Sequence, residues 1–278
     1  MIKLEKISKS HEIIKFIKEL IKTNHNTKYT ITDDIEILKL VYKNNIKIDT
    51  LLYSYEKEYK SETKILLNDL INYSNKVYEI SNSTYDSIKL KENHAGIFAI
   101  IEMPAYNYDD FKNKNFIFVL DRLEIPGNIG TIYRTLDSIN IDGIFIVDAV
   151  SKINNEKITS SSRGTNLIIP SISDSYDNVL NYLLNNNYQI FLGEPILGKN
   201  YQEYDYKGKI AIVVGNERFG INKDWYNHES KKVFIPMEGT QNSLNVSVAG
   251  SVLAYEAYMK RKKRWTSTNN MVDFFFFG

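Results

Sequence analysis

The chain has 278 residues, 43% of them hydrophobic and 25% charged, a mixture that excludes a disordered chain and leaves room for two compact domains. Its formal net charge of +1 excludes a global basic field, so any grip on nucleic acid has to come from local patches. Cysteine is absent and the four histidines are scattered, which removes disulfides, thiolate nucleophiles and cysteine-bound zinc and leaves no metal site to expect.

In chain order, "HEIIKFIKELIKT" has helical spacing, and "DDIEILKLVYKNN" repeats it behind an Asp33-Asp34 pair suited to capping a helix. "IDTLLYS" reads as a buried strand, "TKILLNDLINYS" as a helix, "KVYEIS" as a strand, "STYDSIKL" as a short helix and "GIFAIIEM" as a strand. These predict a small α/β domain over 1–103. The polar, proline-containing "PAYNYDDFKNKN" predicts a linker over 104–115.

A second α/β series follows over 116–264: "FIFVLDRL" strand, "IGTIYRTLDSIN" helix, "GIFIVDAV" strand, "YDNVLNYLLNNN" helix, then strands "YQIFLG" and "KIAIVVG". "NKDWYNHES" reads as a helix, "KKVFIPM" as a strand, and a long helix ends the series. Continuous apolar strands alternating with helices imply a mostly parallel sheet, with ligands bound at the carboxyl ends of its strands. The remaining 265–278, ending in "FFFFG", fits neither domain. No run reaches the roughly 18 apolar residues of a membrane span. The N-terminus lacks the apolar region of a signal peptide, so a cytoplasmic protein without membrane contact is expected.

Three loops after strands hold the residues that could do chemistry. "LEIPGNIGTIYRT" sets Gly127 and Gly130 at a tight strand-to-helix turn, with Asn128 placed to cap the helix and Arg134 one helical turn past Gly130. "VVGNERFGINKDW" brings Gly215, Asn216, Glu217 and Gly220 to the end of an apolar strand. It is no phosphate-binding loop, since Gly-Lys-Ser/Thr is missing, and a plain turn with a surface Glu is the competing reading. "IPMEGTQNSLNVSVAGSV" holds Ser243 and Asn245 before the last helix. A cap needs only one of them, and the other is free for the space the loop encloses.

Taken together, Asn128-x-Gly130-x-x-x-Arg134-Thr135, Gly215-x-Glu217-x-x-Gly220, and Ile235-Pro236-Met237-x-Gly239 leading to Ser243-Leu244-Asn245-Val246-Ser247 resemble the three motifs of the SpoU-type (TrmH-like) RNA ribose 2′-O-methyltransferases of the SPOUT superfamily. The likeness covers roughly 116–264. The first domain, ending "HAGIFAIIEMP", resembles the small RNA-binding domain of thiostrepton-resistance-type 23S rRNA methyltransferases.

The resemblance implies an α/β fold whose C-terminal SPOUT domain has a mostly parallel sheet and a deep trefoil knot, beside a small N-terminal α/β RNA-binding domain. It implies a homodimer that uses S-adenosylmethionine to methylate structured RNA, rRNA rather than tRNA. By position, Leu192, Gly193, Gly215, Ile235 and Leu244 would surround the adenosine, while Arg134, Asn128, Glu217, Ser243 and Asn245 would form the catalytic neighbourhood. Arg134 would either take the ribose proton or hold phosphate and developing charge. A non-catalytic RNA- or ribosome-binding module of the same fold is the alternative. The stretch "TSSSRGTNLIIP", with Ser162, Arg163 and Thr165, stands where the family receives RNA. Further basic candidates are Lys3, Lys6, Lys9, Lys15, Lys18, Lys22 and Lys28, and the run Lys260-Arg261-Lys262-Lys263-Arg264.

Overall fold

The computed structural model describes residues 4–22 and 27–263; Lys3, Arg264 and the stretch 265–278 lie outside them. Contacts divide the chain into two compact units that interleave in sequence. One collects Met1–Tyr106, Ile125–Arg134 and Val150–Ser171, the other Asn107–Glu124, Thr135–Ala149 and Ile172–Gly278.

The first unit contains β1 (Glu5–Lys6), α1 (Glu12–Lys22), β2 (Tyr29–Thr32), α2 (Ile35–Lys43), β3 (Ile48–Ser54), α3 (Ser61–Tyr73), β4 (Lys76–Ile80), α4 (Asn82–Asp86) and β5 (Ile97–Glu102). Its five strands order as β1-β4-β3-β5-β2. β4 is parallel to β1 and β3, whereas β5 is antiparallel to β3 and β2. Alternating side chains give the sheet two apolar faces. Ile37, Leu38 and Val41 of α2 join Leu66, Leu67 and Leu70 of α3 on one; Ile14 and Ile17 of α1 join Tyr85 of α4 on the other. As the Asp-Asp start suggested, Asp34 caps α2, its Oδ1 accepting from Glu36 N–H at 2.9 Å.

After it come β6 (Phe116–Asp121), α5 (Pro126–Ser138), β7 (Gly143–Val147), α6 (Glu156–Ser161), β8 (Ser171–Asp174) and α7 (Tyr176–Asn185). β9 (Gln189–Glu194), β10 (Lys199–Asn200), β11 (Ile210–Val214), β12 (Ser230–Phe234) and α8 (Val246–Lys263) complete the chain. The seven-stranded sheet orders as β10-β12-β9-β11-β6-β7-β8, and the pairings from β10 through β7 are parallel. β6, β7 and β11 are buried at every residue, which explains their continuous apolar sequences.

Three local expectations change. The stretch 104–115 is not wholly irregular: Asn107 and Asp110 form a capping box around a 3-10 turn, Tyr108–Phe111, whose Phe111 is fully buried against Phe145. "NKDWYNHES" makes only a 3-10 turn at Lys223–Asn227, pinned by the buried Trp225. Asn128 does not cap α5, because the helix begins two residues earlier at Pro126, whose fixed φ suits a first helical position.

Candidate active site

The loops singled out in the sequence leave β6, β11 and β12, which with β9 form the parallel run β12-β9-β11-β6 of the second unit. Parallel strands put their carboxyl ends on one edge, so the segments after Asp121, Glu194, Val214 and Phe234 emerge side by side. From β6 the chain continues to the neighbouring β7 on one side, and from β11 it passes beyond β9 to β12 on the other. Connections that part in this way open a crevice outside the strand ends.

Asn216, 6% exposed, knits the loops after β6 and β11 together. Its Nδ2 donates to Arg122 O at 2.8 Å and Glu124 Oε1 at 3.1 Å, and its Oδ1 accepts from the N–H groups of Arg218 and Phe219 at 2.9 and 3.1 Å. Its main chain exchanges two hydrogen bonds with Gly220, closing a tight turn rather than a helix-terminal one. Glu217 Oε2 accepts from Glu124 N–H at 3.2 Å, so this carboxylate orients the loop after β6. Gly215 is required by proximity: a Cβ there would fall on the backbone of Gly220 and Ile221.

The remaining cofactor candidates differ in what they can offer. Leu192 is fully buried inside the sheet, whereas Gly193 stands near the end of β9, where a Cβ would come within 3.0 Å of Leu253 on α8. Ile235 directly follows β12, and Leu244 is 38% exposed just before α8. Apolar side chains and glycine backbone at one strand edge are groups that suit a purine nucleoside. Among the described residues no cluster of three or more His, Cys, Asp or Glu could hold a metal ion.

Asn245 Oδ1 accepts from Ser247 N–H at 2.8 Å and Ser247 Oγ at 2.6 Å, and Asn245 O accepts from Ala249 N–H. Ser243 is exposed and makes no hydrogen bond among the described residues, so it is the residue released from capping. Gly250 then lets α8 approach the sheet, its missing Cβ lying 3.3 Å from Phe118 Cζ.

Asn128 and Arg134 lie on the part of α5 that belongs to the first unit. Asn128 is 9% exposed in the first turn of the helix. Arg134 is exposed, and its side chain makes neither hydrogen bond nor ion pair among the described residues. Gly130 serves packing, since a Cβ there would collide with Ser161 and lie 2.8 Å from Ser162 N. In the following stretch Ser162 and Thr165 are buried and bonded inward, to Asn166 Oδ1 at 2.9 Å and Ser162 O at 3.0 Å. Arg163 alone of that trio faces outward.

Sequence reasoning missed two carboxyls at this strand edge. Asp121, fully buried, accepts from Asn222 N–H at 2.6 Å and lies 3.4 Å from Arg122 Nε; burial pushes its pKa above the ordinary carboxylate value. Glu194 accepts from the Tyr226 hydroxyl and is likewise raised by burial. An acid closing an otherwise apolar strand was the available signal. Of the basic candidates, Lys28 pairs with Glu102 at 2.7 Å, while Lys260 and Arg261 donate to main-chain carbonyls between residues 202 and 208. That part of the basic run ties α8 to its neighbouring loop.

A parallel α/β sheet with motif loops gathered at one strand edge defines a class, and comparison with known proteins gives it a family. The SpoU rRNA methylase family profile matches residues 115–255, and the chain belongs to that family. A Staphylococcus saprophyticus protein named for the TrmH family of tRNA/rRNA methyltransferases is 30% identical over 216 residues, 70% of this chain and 83% of its own length. The 23S rRNA (guanosine(2553)-2′-O)-methyltransferase RlmP of Bacillus subtilis is 25% identical over 178 residues, 64% of this chain and 71% of its own. In fold, the chain is similar to the AdoMet-bound rRNA methyltransferase of Sinorhizobium meliloti (TM-score 0.82, 22% identity, 93% of this chain and 98% of that one). It is also similar to the AdoMet complex of the SpoU methyltransferase AviRb of Streptomyces viridochromogenes (TM-score 0.80, 21% identity, 91% and 98%).

Proposed function

We propose that this protein transfers a methyl group from S-adenosylmethionine to the 2′-hydroxyl of a ribose in structured RNA, with rRNA as the substrate class. The observation that carries the reading is the shared strand edge, where Asn216 and Glu217 bind the loop after β6 to the loop after β11. Family membership, the AdoMet-bound structural relatives and the rRNA-acting Bacillus relative support it.

In this reading Gly193, Gly215, Ile235 and Leu244 hold the donor's adenosine through backbone groups and apolar contact, with Leu192 acting only through the sheet behind them. The donor supplies an electrophilic methyl carbon. Neither a metal nor a covalent enzyme intermediate is needed, so alignment of the ribose oxygen with that carbon accounts for much of the rate. The ribose oxygen would take that carbon and release its proton to bulk water, with the C–S bond electrons staying on the departing thioether sulfur. Glu217 fixes the loop geometry, and Asn128, Ser243 and Asn245 shape the ribose site. Arg134 is exposed, and a guanidinium offers a fork of N–H donors suited to phosphate and to negative charge on the oxygen, the role assigned to it here.

The same reading assigns RNA binding to residues 1–103, joined through 104–115 to a knotted methyltransferase domain over 116–264, with 265–278 beyond it. The assembly is a cytoplasmic homodimer. The test is Arg134→Ala: methyl transfer to rRNA should fall at least a hundredfold, while calorimetry finds S-adenosylmethionine affinity within about twofold of the parent. A variant turning over normally would remove Arg134 from the site.

A further inference from the structure

Phe219 is 74% exposed, the most exposed large hydrophobic side chain among the described residues. The main chain that carries it is held in place. The N–H groups of Arg218 and Phe219 are both held by Asn216 Oδ1, Gly220 closes the turn onto Asn216, and Asn216 itself is anchored to Arg122 and Glu124. At the far end of the loop, Asn222 N–H is held by the buried Asp121. The ring is therefore presented on a fixed backbone, two residues past Glu217, with exposed Arg218 between them.

We propose that Phe219 is a substrate-positioning residue whose ring stacks on an unpaired nucleobase of the RNA while Arg218 meets an adjacent phosphate. The inference rests on the activity proposed above. Single-stranded RNA is held largely by stacking of splayed bases on aromatic faces, and every base offers such a face. A ring carried on a backbone that is already held loses less conformational freedom on stacking than one on a loop that must first order. The cation beside it fits a polyanion better than an apolar protein surface.

The test uses deproteinised rRNA with radiolabelled S-adenosylmethionine, and separately a single-stranded RNA carrying 2-aminopurine. Phe219→Ala should raise KM for rRNA about tenfold or more, with kcat and calorimetric S-adenosylmethionine affinity near the parent values. Phe219→Trp should restore KM, and Phe219→Leu should not. Wild-type protein should quench the 2-aminopurine fluorescence and Phe219→Ala should not, a readout that works even if the methylation assay fails and the proposed activity is lost. An unchanged KM and unchanged quenching in Phe219→Ala overturns the inference. So does Phe219→Leu performing as well as Phe219→Trp, or a drop to monomer mass in Phe219→Ala, since either assigns the ring to apolar packing.

Discussion

Ser243 and Asn245 show how one short polar step divides its work. The sequence made either a helix cap; Asn245 takes that duty by satisfying the Ser247 N–H, and Ser243 keeps a hydroxyl without a described partner. Replacing Asn245 with Ala should lower stability by about 1 kcal/mol, read as a shifted urea midpoint. Ser243→Ala should leave that midpoint in place and lower the rate of methyl transfer. Equal midpoint shifts in the two variants would contradict the division. The motif loops were legible because glycines and amides follow apolar strands, while the roles proposed for their residues come from the resemblance to the SpoU-type motifs. Asn216 was quoted in the motif but not recognised as the hub, because its importance lies in bonds to Arg122 and Glu124, nearly a hundred positions earlier.

Among the elements, helices and strands with a clean period could be read closely, and those stabilised by distant contacts could not. β3 matches "IDTLLYS" residue for residue. α6 escaped notice because "EKITSS" is only six residues long, ends in the weak helix formers Thr and Ser and has no stripe; it is held by the buried Ile158 and by the Thr159 hydroxyl against that of Thr30 at 3.0 Å. β2 is only four residues long and gains its place by pairing with β5. The cap of α2 makes a pH-dependent contribution. Burial would raise the Asp34 carboxyl, but the Lys91 ammonium at 2.6 Å and the Glu36 N–H outweigh it and hold it below the ordinary value. A depressed folded-state pKa stabilises above the unfolded value of about 3.9, and that stabilisation is lost as pH falls through the folded value. The urea-midpoint difference between parent and Asp34→Asn should therefore be greater at pH 7 and shrink towards pH 3. A difference that stays constant with pH would refute this assignment.

At the scale of the whole molecule, the alternation of apolar strands and helices was enough to predict a mostly parallel sheet, yet not that the compact units would interleave along the chain. Periodicity describes faces of single elements and holds no information about which distant segments meet. On α8, Val248, Tyr255 and Met259, spaced by seven and four residues and so on one face of the helix, are 49%, 42% and 46% exposed. An apolar stripe of that kind suits a second copy of the chain. Light scattering should give a dimer for the parent and a monomer for a Val248→Asp, Met259→Lys double variant; a monomeric parent would rule out this face as a self-association surface.

The position of β11 has a consequence for how the molecule comes into being. It lies between β9 and β6, although it is the last of the three to be synthesised. A growing polypeptide on the ribosome must hold that slot open, or fill it wrongly, until the segment through Asn222 emerges. Competence to take up a methyl donor should thus arise in one late, slow step of biogenesis dominated by pairing between remote parts of the chain.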